Sequence, residues 1–212
     1  MKLSVTTFTS LDGVMQGPGG PEEDPSSGFR YGGWLVPFAD DDMGRLIDAT
    51  FVEADEILLG RTTYDMMQSY WSQVTDPGDA VATALNTLPK HVATHRPDTL
   101  SWANSHPITG DLETAVAALK ERPGRELQVH GSHGLIQSLL SAGLVDQFNI
   151  WTFPVVVGEG KRFFGEGAVA SSMRRLSTEI TSTGVVVTSY EPAGLLEQQT
   201  FVVEDGKEAV RP

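Results

Sequence analysis

The fold is decided by residues 127–140, which read LQVHGSHGLIQSLL. This stretch starts as a β-prone run and breaks at Gly131, after which apolar residues return at the spacing of a helix: Leu135, Ile136, Leu139 and Leu140. The pattern predicts a strand, a glycine turn and a helix. Gly131 and Gly134 allow the backbone to approach a ligand closely, and a helix N-terminus attracts anions. The turn is therefore a candidate anion site.

Two interpretations of this turn stay open. A strand-to-helix connection that contains glycine is common, and G-x-x-G is a weaker signal than the full dinucleotide fingerprint G-x-G-x-x-G. If the turn does face an anion, Ser132 is placed to cap the helix, and a side chain at Gly131 would project into the ligand.

A second strand–glycine–helix unit upstream favours the anion-binding interpretation. Residues 56–59 are a short apolar run, and the segment Gly60-Arg61-Thr62-Thr63 opens the next helical pattern. Arg61 can bind a phosphate with two hydrogen bonds, and hydroxyl and backbone N–H groups can bind its other oxygens. The alternative for Arg61 is a surface salt bridge. A third predicted strand also ends in a basic segment, Thr94-His95-Arg96.

Composition excludes several classes of protein. The 212 residues fit one domain with a tail, and no apolar run approaches the roughly 18 residues of a membrane span. There is no cysteine, which excludes disulfides and removes the commonest zinc ligand. The net charge of −13 disfavours nucleic acid and anionic membranes as partners. The first residues lack the apolar segment of a signal peptide, so we expect a cytoplasmic protein.

The order of the remaining elements predicts an α/β fold with a mostly parallel central sheet, flanking helices and a C-terminal antiparallel hairpin. Predicted strands cover residues 2–9, 56–59, 90–94, 100–104, 127–129, 144–153, 174–181 and 184–190. Predicted helices cover residues 37–53, 61–70, 80–88, 111–122 and 134–140. We expect one domain over residues 1–194 and a polar, acidic tail over 195–212 with one added strand at most.

Residues 14–33 form a long segment rich in glycine and proline. It contains Phe29 and Tyr31, which a disordered linker would tend to lack. We therefore expect an ordered lid or a dimer-contact loop.

Two carboxylates are candidate proton donors. Asp40 opens an acidic run at a predicted helix start, where it could either cap the helix or act as an acid in a partly apolar cleft. Asp12 follows the first strand and could instead simply form the Asp-Gly turn. The histidines lack a carboxylate or a third histidine at ligand spacing, so no metal site is expected.

Four motifs, in this order and spacing, resemble the dihydrofolate reductase-like superfamily. They are Ser-Leu-Asp-Gly at residues 10–13, Leu-Gly-Arg-Thr-Thr-Tyr at 59–64, Val-His-Gly-Ser at 129–132, and Leu-Val-Asp at 144–146 running to Pro-Val-Val-Val-Gly-Glu-Gly-Lys at 154–161. The resemblance is closest to the reductase domain of bifunctional riboflavin-biosynthesis proteins and their stand-alone bacterial relatives. It covers residues 2 to about 194.

This resemblance implies NADPH as the cofactor. It places along the cofactor Val14, Met15, Gly60, Arg61, Thr62, Thr63, Thr94, His95, Arg96, Gly131, Ser132, His133, Gly134 and Leu135. Among these, Arg61 and Thr63 would contact phosphates, and residues 94–96 would flank the adenosine and its 2′-phosphate. Trp34, Phe153 and Lys161 would contact the substrate.

We therefore expect a reductase that passes hydride to a small, flat heterocycle of the pyrimidine or pterin type. The alternative is a module that binds NADPH without turnover and acts as a sensor or scaffold. We also expect a homodimer, because the strand at 144–153 carries large apolar residues near the antiparallel edge and related domains pair through this region.

Overall fold

The computed structural model describes residues 1–165 and 167–211. Its strands are β1 (Lys2–Ser10), β2 (Ala54–Gly60), β3 (Lys90–Ala93), β4 (Ser105–Ile108), β5 (Glu126–Val129), β6 (Gln147–Phe153), β7 (Ser171–Ile180), β8 (Val186–Leu195), β9 (Thr200–Glu204) and β10 (Lys207–Arg211). Its α-helices are α1 (Asp41–Val52), α2 (Arg61–Trp71), α3 (Ala80–Thr87), α4 (Leu112–Lys120) and α5 (His133–Ser141).

Eight strands form the central sheet in the order β4-β3-β2-β5-β1-β6-β8-β7. Neighbouring strands from β4 to β6 run parallel, whereas β8 pairs antiparallel with both β6 and β7. The predicted α/β fold with an antiparallel C-terminal hairpin is confirmed. In this order β2 and β5 are neighbours, so their carboxyl ends bring the two predicted glycine turns together.

Helices cover both faces of the parallel part of the sheet. Leu127 and Val129 of β5 are fully buried and belong to a cluster with residues of α4 and α5. On the other face, Ile57 and Leu59 of β2 pack in a cluster with residues of α1, α2 and α3. Because both faces are covered, Ile57, Leu58 and Leu59 of β2 form a continuous buried apolar run, and all four residues of β5 are buried, including the polar Glu126 and Gln128.

Several predicted elements have different boundaries; for example, β6 begins at Gln147 and β8 continues to Leu195, and two further differences have a clear cause. The helix predicted over residues 37–53 divides into a short 3-10 turn, Val36–Phe38, and α1. The cause is Asp40, which has extended backbone angles and accepts a hydrogen bond from the N–H of Met43 at 2.7 Å, so α1 begins after it. The strand predicted at residues 100–104 is wrong, because the strand begins only at Ser105, after Asn104 with φ +56°.

The long segment after β1 is ordered around Gln16. The buried Gln16 side chain donates to the carbonyl oxygens of Asp24 and Ser26, each at 3.0 Å, and accepts from the N–H of Lys161. The indole N–H of Trp34 donates to the Gln16 carbonyl at 2.8 Å. These bonds fasten the segment over the carboxyl ends of β1 and β6.

Residues beyond β8 form a second, two-stranded sheet from β9 and β10. The tail therefore holds a hairpin, where a single added strand was expected. Within the described residues, no helix is both long enough and apolar enough to span a membrane.

Candidate active site

The helices that follow the two glycine turns differ from the others at their N-termini. In α1, α3 and α4 the N-cap is an aspartate whose side chain accepts a hydrogen bond from the first turn. The N-caps of α2 and α5 are Gly60 and Ser132, neither makes a side-chain capping bond, and neither first turn contains an acidic residue. Two adjacent helix N-termini thus lack the negative groups that complement the helix dipole elsewhere in the fold.

Ser132 occupies the predicted N-cap position of α5 but makes no side-chain capping bond, and the close approach of the two turns explains why. The N–H of Gly60 donates to the carbonyl oxygen of Gly131 at 3.2 Å, and a Cβ on Gly60 would collide with Ser132 Oγ. The Ser132 side chain therefore packs against Gly60. The peptide bond between Gly131 and Ser132 is cis.

The glycines of the second turn have different surroundings. Gly131 has φ +125°, and a Cβ built on it would lie 2.7 Å from Thr63 Oγ1. The expectation that a side chain at Gly131 would project into a ligand is therefore wrong. At Gly134, in the first turn of α5, a Cβ would meet no atom within 4 Å. Gly134 is thus the glycine that leaves open space at the helix N-terminus.

A cluster of charged residues lies beside these turns, at the ends of β2 and β3. Arg61 Nε is 2.8 Å from both carboxylate oxygens of Asp65, and Arg61 Nη1 donates to the carbonyl oxygen of Arg96 at 3.2 Å and to Thr99 Oγ1 at 2.5 Å. Arg96 Nη2 lies 3.7 Å from the same Asp65 carboxylate. The two predicted phosphate-binding arginines are therefore together, and Arg61 also makes the salt bridge of the alternative interpretation.

The sequence reasoning missed Asp65 and Thr99. Asp65 was recognisable, because it follows Arg61 by four residues and lies on the same face of the helix. The position of Thr99 depends on a short 3-10 turn, Pro97–Thr99, which no periodic pattern in the sequence predicts.

The other predicted cofactor residues are distributed around the same sheet edge. Thr62 and His95 are exposed, and Thr94 Oγ1 accepts from the N–H of Arg96. Met15 is half-buried, whereas the Val14 side chain is fully buried in the core cluster of Trp34 and Phe153. Leu135 is likewise a core residue, and His133 is the first residue of α5. Val14 and Leu135 can therefore reach a ligand at this edge only through their backbones.

Asp12 holds two loops together. Its carboxylate accepts from Ser10 Oγ at 2.7 Å and from the N–H groups of Val157 and Gly158 at 3.0 and 2.9 Å. Burial raises the pKa of this carboxyl, but these hydrogen bonds outweigh it and lower the pKa to about 2. An ionised, fully hydrogen-bonded carboxylate is poorly suited to donate a proton, so the geometry favours the turn-forming role.

Asp40 is also an anchor. Beyond capping α1, its Oδ2 accepts from Ser182 Oγ at 2.7 Å and from the N–H and hydroxyl of Thr183, each at 3.1 Å. The hydrogen bonds from Ser182, Met43 and Thr183 hold its pKa at about 2. Asp40 therefore fastens the β7–β8 turn to α1, and its environment does not support the predicted proton-donor role.

The predicted substrate residues lie around the segment that covers β6. Phe153 is fully buried, with Trp34 packed edge-on against it at a centroid distance of 5.5 Å. Direct substrate contact by Phe153 is therefore not supported, because its side chain has no exposed surface. Lys161 Nζ binds the Asp24 carboxylate at 2.6 Å and Ser26 Oγ at 2.8 Å. Lys161 thereby neutralises the charge of Asp24 in the long segment after β1.

A surface depression of about 500 Å³ lies elsewhere, between α4 and α5, and is lined by residues that include Glu113, Gln137 and Ser141. Among the described residues, its lining includes no cationic side chain and none of the glycine turns, so its chemistry does not suit an anionic cofactor. In the described part of the chain, no three histidine or carboxylate side chains form a group that could hold a metal ion.

Comparison with known protein families identifies the family of this chain. The family model of the RibD C-terminal domain matches residues 1–187. The chain belongs to this family. A curated relative, the uncharacterised protein YyaP of Bacillus subtilis strain 168, is 27% identical over 191 residues, which cover 89% of this chain and 94% of YyaP.

Solved structures share the fold of this RibD C-terminal domain. A putative riboflavin biosynthesis protein from Shewanella sp. PV-4 has 23% identity and a TM-score of 0.66 over 91% of this chain and 99% of the other. A pyrimidine reductase-like protein from Corynebacterium diphtheriae has 15% identity and a TM-score of 0.63, covering 91% and 92%. Dihydrofolate reductase from Enterococcus faecalis, in complex with NADP(H) and RAB-propyl, has 14% identity and a TM-score of 0.57, covering 90% and 96%.

These comparisons confirm the predicted resemblance to the dihydrofolate reductase-like superfamily and to riboflavin-biosynthesis reductase domains. Membership of the RibD C-terminal family supports a reductase of this type.

Proposed function

We propose that the protein is an NADPH-dependent reductase that transfers hydride to a small, flat heterocycle of the pyrimidine or pterin type. In this it would resemble 5-amino-6-(5-phosphoribosylamino)uracil reductase. The observation that carries the proposal is the pair of uncapped helix N-termini, α2 and α5, which meet at Gly60 and Gly131 beside the Arg61–Arg96 cluster.

The residues present fit a dinucleotide phosphate. The first turn of α5 offers backbone N–H groups, and the open space at Gly134 lets a pyrophosphate approach them. Arg61 and Arg96 supply planar guanidinium groups, which suit a 2′-phosphate. In a chain of net charge −13, such a local group of cations is needed to attract an anionic cofactor at all.

NADPH, when bound, supplies the hydride, and the protein supplies position and electrostatics. The α5 turn and the arginines would hold the two phosphate-bearing ends of the dinucleotide. The backbone at Val14 and Met15, at the carboxyl end of β1, would lie along the nicotinamide. The segment fastened by Gln16 would cover the reacting atoms and exclude water.

Arg96→Ala tests the cofactor preference. We expect the parent protein to bind NADPH more tightly than NADH, and the variant to lose roughly 10- to 100-fold in NADPH affinity, since a hydrogen bond to a charged group contributes about 1.5–3 kcal/mol. NADH affinity should change little, because NADH lacks the 2′-phosphate. Calorimetry measures all four dissociation constants. Equal affinities for the two cofactors in the parent protein would contradict the proposal.

One observation supports the alternative of an NADPH-binding module without turnover: both predicted proton donors, Asp12 and Asp40, are ionised anchors. Oxidation of NADPH, followed at 340 nm with 5-amino-6-(5-phosphoribosylamino)uracil and with dihydrofolate, separates the two functions. Turnover with either compound supports the reductase. Tight NADPH binding without oxidation by either favours the module.

A homodimer also remains our proposal, although the reason given from the sequence is wrong. The large side chains of β6 are buried within one chain, with Phe148 at 3% and Trp151 at 1% exposure. The edge strand β7 does carry exposed apolar side chains, which are Met173 at 36%, Leu176 at 43% and Ile180 at 67%. An uncovered apolar edge favours pairing with a second copy. Sedimentation that shows only monomer at micromolar concentration would contradict this.

A further inference from the structure

Helix α2 begins with a cation where the helix dipole disfavours one. Arg61 is its first residue, and a helix N-terminus carries partial positive charge. The charge is compensated one turn later by Asp65, whose two carboxylate oxygens are each 2.8 Å from Arg61 Nε. The Asp65 carboxylate therefore occupies an N–H group of Arg61 that a phosphate could otherwise bind.

The same carboxylate also faces the second cation of the cluster. Arg96 Nη2 is 3.7 Å from Asp65 Oδ2, and the Arg96 side chain is 65% exposed. Two guanidinium groups and one carboxylate carry a net charge of +1. Without Asp65 the cluster would carry a charge of +2, which would balance the charge of roughly −2 on a phosphate monoester near neutral pH.

Arg61 has other bonds that keep it in place. Arg61 Nη1 donates to the Arg96 carbonyl oxygen and to Thr99 Oγ1. Thr99 Oγ1 itself donates to the same carbonyl oxygen. The Arg61 guanidinium also lies 5.9 Å from the centroid of the Tyr64 ring. Only 18% of the Arg61 side chain is exposed. Removal of the negative charge at position 65 should therefore leave the guanidinium where it is.

We propose that Asp65 is an internal counter-ion that competes with the 2′-phosphate of the cofactor for Arg61 and Arg96, and that it thereby limits the preference for NADPH over NADH. This inference rests on the proposed function. Asp65 is a specificity-determining residue in this role, because it acts on the cofactor through the two arginines.

Asp65→Asn isolates the charge, because the amide oxygen can still accept a hydrogen bond from Arg61 Nε. The dissociation constant for NADPH should fall about three- to tenfold, because a repulsive charge within one Debye length is removed. The constant for NADH should change by less than about twofold. The gain for NADPH should shrink as salt is raised from 50 to 300 mM, because the cluster is partly exposed.

Asp48→Asn is the matched control. Asp48 is an exposed residue of α1, and its substitution changes the net charge by the same amount. The control should bind both cofactors like the parent protein. An equal gain in the control would show a general charge effect and overturn the inference.

The outcomes separate this inference from the proposed function. Preference for NADPH in the parent protein, with an unchanged or weakened NADPH affinity in Asp65→Asn, overturns the counter-ion role alone. NADPH binding that appears only in Asp65→Asn supports the counter-ion role strongly. Failure of both proteins to bind NADPH overturns the counter-ion role and the proposed function together.

Discussion

Gly134→Asp should abolish NADPH binding and leave the protein fully folded. The residue is exposed in the first turn of α5, and its Cβ would meet no atom within 4 Å. A carboxylate is favourable at a helix N-terminus, typically by 0.3–1 kcal/mol, and any residue other than proline forms helix more readily than glycine. The melting temperature should therefore stay the same or rise slightly.

The same carboxylate would stand where the pyrophosphate must lie. Two like charges 4 Å apart repel each other by about 4 kcal/mol at an effective dielectric constant of 20, so affinity should fall at least about 100-fold. Calorimetric titration with NADPH and a thermal melt on one sample measure both effects. Unchanged NADPH affinity in this variant would remove the central support for the proposed site.

Two control variants identify the cause of the lost NADPH affinity. Gly134→Ala adds a side chain without charge, so it should keep much more of the affinity than Gly134→Asp. Ala118→Asp adds the same charge on the exposed face of α4 and should bind NADPH like the parent protein. Equal losses in Gly134→Asp and Ala118→Asp would show a general effect of net charge.

Much of the fold was predictable because local patterns and tertiary packing agree. The strands under the helices are short buried segments with β-branched residues, such as Ile57 in β2, Val92 in β3 and Val129 in β5, and all three strands were placed within two residues. The strand predicted at 100–104 failed because Trp102 packs there as a loop residue, with its indole N–H donating to Asn86 Oδ1 at 2.8 Å. Such a contact joins segments far apart in the chain and leaves no periodic signal.

The position of the candidate site was predictable from the sequence, but the chemical roles of the carboxylates Asp12 and Asp40 were not. Strand ends of a parallel sheet meet at one edge, which brought the segments at Gly60, Arg96 and Gly131 together as expected. The roles of Asp12 and Asp40 depend on which N–H and hydroxyl groups surround each carboxylate. Ser10 and Met43 are local partners, but the other groups come from residues 140 or more positions away, at 157–158 and 182–183. No local pattern reports them.

Gly131→Val should lower the stability of the folded protein, whereas Gly134→Asp should not. Gly131 has φ +125°, a conformation that costs a residue with a side chain about 1–3 kcal/mol. Its Cβ would also lie 2.7 Å from Thr63 Oγ1 and 3.3 Å from Thr63 Cγ2, an overpacking that costs a further 1–3 kcal/mol or so. The variant should lose about 3 kcal/mol of stability or more, which lowers the melting temperature by roughly 6–12 °C in a chain of this size.

A double-mutant cycle between Gly131→Ala and Thr63→Ala separates the cost of the backbone conformation from the cost of overpacking. Thr63→Ala removes the two closest atoms and leaves Thr63 Cβ at 3.5 Å, an ordinary contact, so the double variant should recover the overpacking cost and retain the backbone cost. Strict additivity of the two changes would contradict the contact between the turns. Loss of NADPH binding in Gly131→Val cannot by itself locate the cofactor, because the turn that carries α5 is displaced at the same time. Binding must therefore be assigned from Gly134, where a side chain has room in the free protein and stability can be held constant.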